Sequence, residues 1–324
     1  MIGHFDVVAL GEFLIDFTEN GRSAQGNPLF EANPGGAPAN VLAMLSKLGR
    51  RCAFLGKVGR DGFGDQLADA LVRCGIDVQG LRRDAKVPTT LAIVHTLPGG
   101  DRDFSFYRSP GADTMLRPDE LDRVLLTSCR IFHFGSLSLT DEPCRSATRA
   151  ALALARQSGA LISYDPNLRP PLWPDPDAAR EQILWGLGQC DVLKIADNEL
   201  EFVTGLTDYD KGAARLRAQF PNIRLLNLTL GADGSRAYYD DLRVAVPGFT
   251  LGGVIDTTGA GDTFCACVLH ALLSRGLDAL TAEELRQMLR FAGAAAYLVT
   301  TRRGALRAMP ERSEVEALLR KQDP

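Results

Sequence analysis

The chain contains 324 residues, of which 45% are apolar and 23% charged, so it is long and apolar enough to bury a complete core. Its 36 basic and 40 acidic residues give a net charge of −4 without a long basic run, which argues against a nucleic-acid-binding surface. The N-terminus lacks a charged leader with a cleavage site and no segment offers roughly 18 consecutive apolar residues, so we expect a cytoplasmic enzyme without membrane contact.

Short apolar or β-branched runs alternate with helical patterns along the chain. The predicted strands are 7–10, 51–56, 131–134, 161–164, 192–195 and 225–230. The predicted helices are about 38–49, 63–75, 118–126, 142–158, 177–188, 198–205, 210–219 and 260–275, followed by a final amphipathic helix at about 311–324. This alternation predicts an α/β fold in which helices cover a mostly parallel sheet.

Two segments, about 12–34 and 87–112, interrupt this alternation. They contain short alternating strands with turns at Asn20-Gly21 and at 98–101, a pattern that predicts a small antiparallel sheet.

The cysteines and histidines show no metal or catalytic spacing. Seven cysteines form an odd number without a C-x-x-C pair, which favours reduced, buried thiols over a disulfide framework or a zinc site. The four histidines stand apart in the sequence, so neither a metal site nor a Ser/His/Asp triad is expected.

Residues 256–262, DTTGAGD, are the most informative segment of the chain. They follow the strand-like pair Val254 and Ile255 and open a long apolar helical pattern. Gly259 and Gly261 allow the backbone to approach a ligand closely, and the first N–H groups of the helix favour an anion. Asp262 would repel that anion, so we interpret it as a general base, the alternative being an acidic residue that complements the helix dipole.

A second glycine cluster, GGAPAN at 35–40, precedes another helical pattern. Together with DTTGAGD it resembles the two signatures of the ribokinase-like (PfkB) sugar kinases. Within that family GEFLID at 11–16, FYRSPGAD at 106–113 and DPNLRPPLW at 165–173 resemble the fructokinases, and the likeness extends from about residue 6 to about residue 310. It implies one kinase domain over 1–324 with a three-layer α/β/α fold, in which segments 12–34 and 87–112 form a β lid over the sugar. The lid is also a candidate homodimer contact.

The resemblance implies a set of sugar-binding residues. Asp16, Gly35, Gly36 and Asn40 match the family's sugar positions, although alone Asp16 is also typical of a surface turn and Asn40 of a helix start. Phe104, Phe106 and Arg108 share one face of a predicted strand, so two rings and a guanidinium are expected to close over the ligand. Core packing is the alternative for the rings, whereas a guanidinium must stay solvated or paired.

Asp165, Asn167 and Arg169 occupy alternate positions and lie on one side of the chain if it is extended there. They are candidates to bridge sugar and phosphate, with Arg169 contacting the transferred phosphoryl group or the sugar. The alternative is an Asx-type turn closed by an arginine salt bridge.

Further residues match the family's nucleotide and ion positions. The nucleotide set is Lys194, Thr229, Gly231, Gly234, Gly261 and Gly293, although the turn at 229–234 is also common hairpin punctuation. Glu201, in the N-x-x-E element at 198–201, is expected to organise Mg²⁺ through water, and without the resemblance it is typical of a solvated helix residue. Asp256 and Thr258, with the loop 300–304, are candidates for a monovalent cation site, such as one for K⁺.

These observations predict an ATP-dependent sugar kinase that phosphorylates the 6-hydroxyl of D-fructose. Asp262 is the expected base, and the N–H groups of Gly259, Ala260 and Gly261 are expected to hold the phosphoryl charge. A 2-keto-3-deoxygluconate kinase is the first alternative, because Arg108 would equally bind a carboxylate. Another sugar kinase of the same family is a further alternative. A sugar-binding regulator without turnover is a remote alternative, because it is expected to lack Asp262 or the glycine turn. A dinucleotide-binding fold is excluded because no GxGxxG follows the first strand.

Overall fold

A computed structural model describes residues 5–96 and 102–322. Its strands are β1 Phe5–Leu10, β2 Leu14–Arg22, β3 Pro28–Gly35, β4 Cys52–Gly59, β5 Leu81–Asp84, β6 Leu91–Thr96, β7 Arg102–Tyr107, β8 Cys129–Gly135, β9 Leu161–Asp165, β10 Val192–Ala196, β11 Leu225–Thr229, β12 Ser235–Tyr239 and β13 Leu242–Val246. Its α-helices are α1 Ala37–Lys47, α2 Gly62–Arg73, α3 Arg123–Thr127, α4 Cys144–Gln157, α5 Pro176–Leu187, α6 Asp197–Thr204, α7 Tyr209–Gln219, α8 Ala260–Arg275, α9 Ala282–Thr300 and α10 Arg312–Gln322.

The large sheet is mostly parallel, as the alternating pattern predicts. Its strand order is β13-β12-β11-β10-β9-β8-β1-β4-β5. The pairs from β5 to β11 are parallel, and only the β11-β12-β13 edge is antiparallel. All six predicted strands of this sheet are present, and β5, β12 and β13 add to them.

The strand β1 shows why the sheet has a helical layer on each face. Val7 and Ala9 belong to a core shared with α1, α2, α8, α9 and α10. Val8 and Leu10 belong to a second core shared with α3, α4, α5, α6 and α7. Because successive side chains of a strand point to opposite faces, one apolar run supplies both cores. The three-layer α/β/α prediction is confirmed.

A second sheet of four strands, in the order β3-β2-β6-β7, is built from the two segments that interrupt the alternating pattern. We call it the lid sheet. The hairpins β2-β3 and β6-β7 are antiparallel, as predicted, whereas the two hairpins join through a parallel β2-β6 pair. Neither segment alone makes a sheet large enough to cover a ligand site.

Two predictions about individual elements are wrong, and one helix was missed. Val254 and Ile255 form no strand and lie exposed in a loop, because the β12-β13 hairpin already occupies that edge of the sheet. The predicted helix 118–126 is interrupted, with a 3₁₀ turn at Pro118–Glu120 and then α3. The helix α9 was not predicted, although Thr281 and Glu284 form a capping box at its start and supply a sequence signal for it.

The remaining expectations concern thiols and membrane contact. The seven cysteines are free, and six of them are buried. Among the described residues we find neither a helix able to cross a membrane nor a group of three or more His, Cys, Asp or Glu side chains suited to hold a metal.

Candidate active site

The lid sheet and the carboxyl ends of the parallel strands enclose a cavity of about 490 Å³, which we call the first cavity. Carboxyl ends of parallel strands are the usual place for a ligand in an α/β sheet. The lid sheet contributes Leu14, Asp16, Thr18, Asn33, Pro34, Val94 and Phe106. The main body contributes Glu12, Gly36, Asn40, Leu137, Asn167, Arg169, Lys194, Gly259, Gly261 and Asp262, together with 256–258 and 304–305.

Asp262 lies in the first turn of α8 and faces this cavity. The N-cap residue of this helix is Gly259, which has a left-handed φ of 81°. No side chain of the described residues caps the helix at this position. Asp262 Oδ2 accepts a hydrogen bond from Asn40 Nδ2 at 2.8 Å. Of the three amides predicted to hold an anion, that of Ala260 also donates to the Thr257 carbonyl at 3.3 Å.

Burial raises the pKa of Asp262 to about 6, and the Asp165 carboxylate acts in the same direction. The hydrogen bond from Asn40 and the charges of Lys194 and Arg169 partly offset that rise. A carboxylate with a pKa near neutrality suits general-base chemistry, because it is ionised at pH 7 and still basic enough to take a proton.

The predicted sugar residues on α1 and β2 lie together. Gly36 has a φ of 139°, and a Cβ there would lie 2.4 Å from the Glu12 carbonyl oxygen. A Cβ on Gly35 would lie 2.1 Å from Asp16 Oδ2, so this glycine lets the Asp16 carboxylate pack against the turn. Burial raises the pKa of Asp16 to about 7; Arg169 opposes the shift and Asp256 adds to it.

The segment 165–169 is not extended throughout, which was the condition for its alternate polar residues to lie on one side. Asn167 has a left-handed φ of 48°, which turns the backbone. Asn167 and Arg169 line the first cavity, whereas the Asp165 side chain is directed at Lys194, with 3.1 Å between Oδ1 and Nζ. The three side chains therefore do not lie on one side, because the chain is not extended at Asn167.

A second cavity of about 500 Å³ adjoins the first. All six predicted nucleotide residues line it, namely Lys194, Thr229, Gly231, Gly234, Gly261 and Gly293. Lys194, Thr257 and Gly261 line both cavities, so the two spaces meet at the start of α8. Burial alone would lower the pKa of Lys194, but Asp165, Glu199 and Asp262 raise it above its usual value and keep the amine charged.

The candidate metal residues differ in their placement. Glu201 is exposed on α6 and is not among the described residues that line either cavity. Its neighbour Glu199 is buried instead and accepts hydrogen bonds from the Leu168 and Ala196 amides at 2.7 and 2.8 Å. Sequence reasoning missed this role, although an acidic residue at the third position of a helix is a capping signal.

Asp256 and Thr258 line the first cavity and join two loops. Asp256 Oδ1 accepts from the Thr258 amide at 2.9 Å, and Oδ2 accepts from the Gly304 amide at 3.2 Å. The amides of Ile255 and Asp256 donate to the Thr300 carbonyl. This arrangement brings 256–258 next to 300–304, as the predicted cation site requires.

Arg108 is placed differently from the prediction. It follows β7 rather than lying on it, and it is not among the described residues that line the first cavity. Its guanidinium is buried, bonds Asp113 at 2.7 and 2.8 Å, and donates to Thr140 Oγ1 and to the Leu137 carbonyl. The ion pair with Asp113 satisfies the guanidinium inside the protein, so Arg108 is not placed to bind a ligand in the first cavity. Phe106 lines the cavity as predicted, while the Phe104 side chain lies outside the described residues.

Comparisons with known proteins identify the family of this chain. Residues 4–312 match the family model described as pfkB family carbohydrate kinase. The chain is 46% identical over 316 residues to probable fructokinase-2 of Arabidopsis thaliana, covering 97% of this chain and 95% of the relative. It is 43% identical over 320 residues to fructokinase-2 of Solanum lycopersicum, covering 97% and 96%.

Two solved structures are also similar. A fructokinase with bound ATP from Xylella fastidiosa has a TM-score of 0.90 and 32% identity, covering 98% of this chain and 99% of that one. A double-mutant fructokinase from Vibrio cholerae O395, bound to fructose, ADP and a potassium ion, has a TM-score of 0.85 and 30% identity, covering 98% and 100%. The chain belongs to the pfkB family of carbohydrate kinases and is a phosphotransferase that acts on a hydroxyl group.

Proposed function

We infer that this protein is an ATP-dependent fructokinase that converts ATP and D-fructose to ADP and D-fructose 6-phosphate. The observation that carries the proposal is the position of Asp262, buried at the start of α8 where the two cavities meet. The similarity to fructokinases over nearly the full length of the chain supports fructose as the substrate.

In the proposed reaction the Asp262 carboxylate takes the proton of the sugar 6-hydroxyl. The hydroxyl oxygen forms a bond to the γ-phosphorus, the bond from that phosphorus to the β–γ bridging oxygen breaks, and ADP leaves. The N–H groups of Gly259, Ala260 and Gly261 are proposed to hold the charge of the transferred group, with Lys194 and Arg169 beside it.

The sugar is proposed to occupy the first cavity beneath the lid sheet. Asp16, Asn40 and Asn167 offer hydrogen-bonding groups there, the Gly36 turn allows close approach, and Phe106 covers the ring. The lid sheet would exclude water that otherwise attacks ATP. We propose that residues 1–324 act as one kinase domain with this lid.

Mg²⁺ would be held in the second cavity together with the nucleotide and would supply positive charge to its phosphates. The residues fit that mode of binding, because Mg²⁺ keeps several waters and needs few protein ligands. Asp197 lines the second cavity, and Glu201 would act only through water. We further propose K⁺ near Asp256 and Thr258, a cytoplasmic location, and a homodimer formed through the lid sheet.

A 2-keto-3-deoxygluconate kinase loses its main support, because Arg108 is committed to Asp113 inside the protein. Among the described residues that line the first cavity, the remaining cations are Arg169 and Lys194, which the proposed reaction assigns to phosphate. The regulator without turnover is not supported, because Asp262 and the glycine turn are both in place.

The test is ATP-dependent phosphorylation with Mg²⁺ of D-fructose, 2-keto-3-deoxygluconate, D-ribose and adenosine, compared by kcat/KM. We expect D-fructose to have the highest value. A preference for the keto acid would keep Asp262 as the base, but Arg169 would then bind the carboxylate of the substrate. The absence of turnover with all four compounds would overturn the proposal and favour the binding protein.

A further inference from the structure

The helix α1 begins at the first cavity without the usual N-cap side chain. Its N-cap residue is Gly36, which makes no side-chain cap. A side chain is excluded there by the φ of 139° and by the Glu12 carbonyl, 2.4 Å from where a Cβ would lie. Serine, threonine or aspartate therefore cannot supply the cap in the ordinary way.

Glu12 supplies this cap from 25 residues earlier in the chain. Its Oε1 accepts a hydrogen bond from the Ala37 amide, the first in α1, at 2.8 Å. Glu12 is 4% exposed and is one of the residues that line the first cavity. Among the described residues no group donates to its other oxygen, Oε2, which is also buried.

A buried carboxylate with only one hydrogen-bonded oxygen is an energetically unfavourable helix cap. Burial raises the pKa of Glu12 to about 7, whereas the Ala37 amide and the Arg108 charge lower it and Asp113 raises it. An exposed N-cap aspartate, such as Asp208 of α7, holds a helix amide at 2.9 Å without that desolvation. Stability alone does not account for a buried acid at this helix start.

One helical turn connects Glu12 to the proposed base. The Asn40 amide donates to the Gly36 carbonyl at 3.0 Å, and Asn40 Nδ2 donates to Asp262 Oδ2 at 2.8 Å. Asn40 is 3% exposed. Because a single helical turn is rigid, the position of the Ala37 amide fixes the direction from which Asn40 reaches Asp262.

We propose that Glu12 is a positioning residue that holds the first turn of α1 so that Asn40 can direct and ionise Asp262. The inference rests on the proposed kinase function. Asp262 also faces Asp165 from β9, Lys194 from β10 and Arg169 from the 165–169 segment. Of these groups and Asn40, only Asn40 depends on the start of α1, so loss of Glu12 would act on Asp262 through Asn40.

The variants Glu12→Ala, Glu12→Gln, Asn40→Ala and the Glu12→Ala/Asn40→Ala double variant test this chain of contacts. Asp208→Ala is the matched control, because it removes a single cap hydrogen bond from α7, away from both cavities. Each protein is assayed for kcat and KM with fructose and ATP and for Tm. The Asp262 carboxyl is titrated by NMR in ¹³C-aspartate-labelled protein without substrate, its resonance assigned by its loss in Asp262→Asn.

We expect Glu12→Ala to lower kcat at least about tenfold, since small misplacements of reacting groups are costly. The apparent pKa of Asp262 is expected to rise, because a donor to its ionised form is lost. Glu12→Gln should restore both values, since its amide oxygen can still accept from Ala37. The double variant should match Asn40→Ala, because both changes interrupt one chain of contacts.

The proposal is overturned if Glu12→Ala lowers Tm about as much as Asp208→Ala does but leaves kcat and the Asp262 titration unchanged. Glu12 would then be only a stabilising helix cap. If Glu12→Ala does not fold, Glu12→Asp, whose side chain is shorter, must raise the Asp262 pKa in the same direction. If the unmodified protein phosphorylates no sugar while the titration still shifts, the positioning inference stands and the fructokinase proposal fails.

Discussion

Asp262 shows how surroundings change the chemistry of an ordinary carboxyl group. Burial and the nearby Asp165 raise its pKa, while Asn40, Lys194 and Arg169 keep that rise moderate. The outcome, a pKa of about 6, lies between a fully exposed acid and a carboxyl that stays protonated at neutral pH. The same side chain at an exposed helix start would serve only the helix dipole.

Replacing Asp262 by Asn should abolish the base while preserving the shape of the site. We expect kcat to fall by about 10²–10⁴, the usual effect of losing a general base, with the KM for fructose nearly unchanged. Steady-state kinetics measure both constants. Unchanged turnover in Asp262→Asn would remove Asp262 from the reaction.

The pH dependence of kcat/KM for fructose should follow the ionisation of Asp262. Its pKa is raised to about 6, and only the ionised form can accept a proton. Activity is therefore expected to be fully present well above pH 6 and to fall about tenfold per pH unit well below it. A kcat/KM profile between pH 5 and 8 checks this, because kcat/KM reports the ionisation of the free enzyme. A flat profile across pH 6 would be inconsistent with Asp262 as the base.

At the scale of elements, the starts of two helices make the site. Both α1 and α8 begin at a glycine with positive φ, Gly36 and Gly259, and neither glycine carries a side chain to cap its helix. The backbone can therefore come close to a ligand at both helix starts, where N–H groups favour negative charge. The hydrogen bond from Asn40 to Asp262 joins these two starts.

The variant Gly36→Ala should be far more damaging than Gly49→Ala. Both residues have positive φ, but the space around them differs. A Cβ at Gly36 would lie 2.4 Å from a backbone oxygen, whereas a Cβ at Gly49 would have no neighbouring atom of the described residues within 4 Å. We expect Gly49→Ala to cost about 1–2 kcal/mol of unfolding free energy. Gly36→Ala should cost more and raise the KM for fructose severalfold. Equal effects in denaturant unfolding and kinetics would contradict this role of Gly36.

Arg108 fastens the end of the lid sheet to the main body. Its buried pair with Asp113 lies next to Leu137, a residue of the first cavity. We expect Arg108→Ala to cost about 3–5 kcal/mol, because it leaves a buried carboxylate without its partner.

Arg117→Ala, which removes an exposed pair with Asp119, is the control and should cost no more than about 1 kcal/mol. Urea unfolding measures both changes. A small effect of Arg108→Ala would show that the cluster does not anchor the lid sheet.

At the scale of the whole molecule, two layers of helices fix the main sheet, and the lid sheet stands on its ligand-binding edge. Leu29 and Phe30 on β3 and Tyr107 at the end of β7 expose large apolar side chains on this lid. These groups lie on the two edge strands of the lid sheet, β3 and β7, and exposed apolar groups of this kind suit a second copy of the same surface. They support the proposed homodimer.

The variant Phe30→Asp should weaken that dimer by placing a charge in the apolar contact. Val72→Asp on α2 is the control, because Val72 is also exposed but lies outside the lid sheet. Sedimentation over a range of concentrations should show twice the 35.0 kDa chain mass for the unmodified protein and for Val72→Asp. Monomers of the unmodified protein, or a Phe30→Asp dimer of unchanged affinity, would exclude the lid contact.

The sequence by itself determined the α/β alternation, the six inner strands and the two glycine-bounded helix starts, because these depend on local periodicity and on backbone conformations that glycine permits. The GAGD motif marked Asp262, and the resemblance to the ribokinase-like sugar kinases marked Asp16, Asn40 and the six residues of the second cavity. The periodicity and glycine signals are local, so they can be interpreted without knowledge of the fold.

Only the tertiary structure decided which side chains face the ligand. From its position in the sequence Arg108 was expected to contact the ligand, but in the structure it pairs with Asp113. Glu12 gave no local signal because it caps a helix that begins 25 residues later. The left-handed φ of Asn167 likewise turns the segment 165–169, whose alternate polar residues would share one side only in an extended chain. Pairing of buried charges and capping across long separations arise only after the chain has folded, because they depend on distances in space rather than on spacing in sequence.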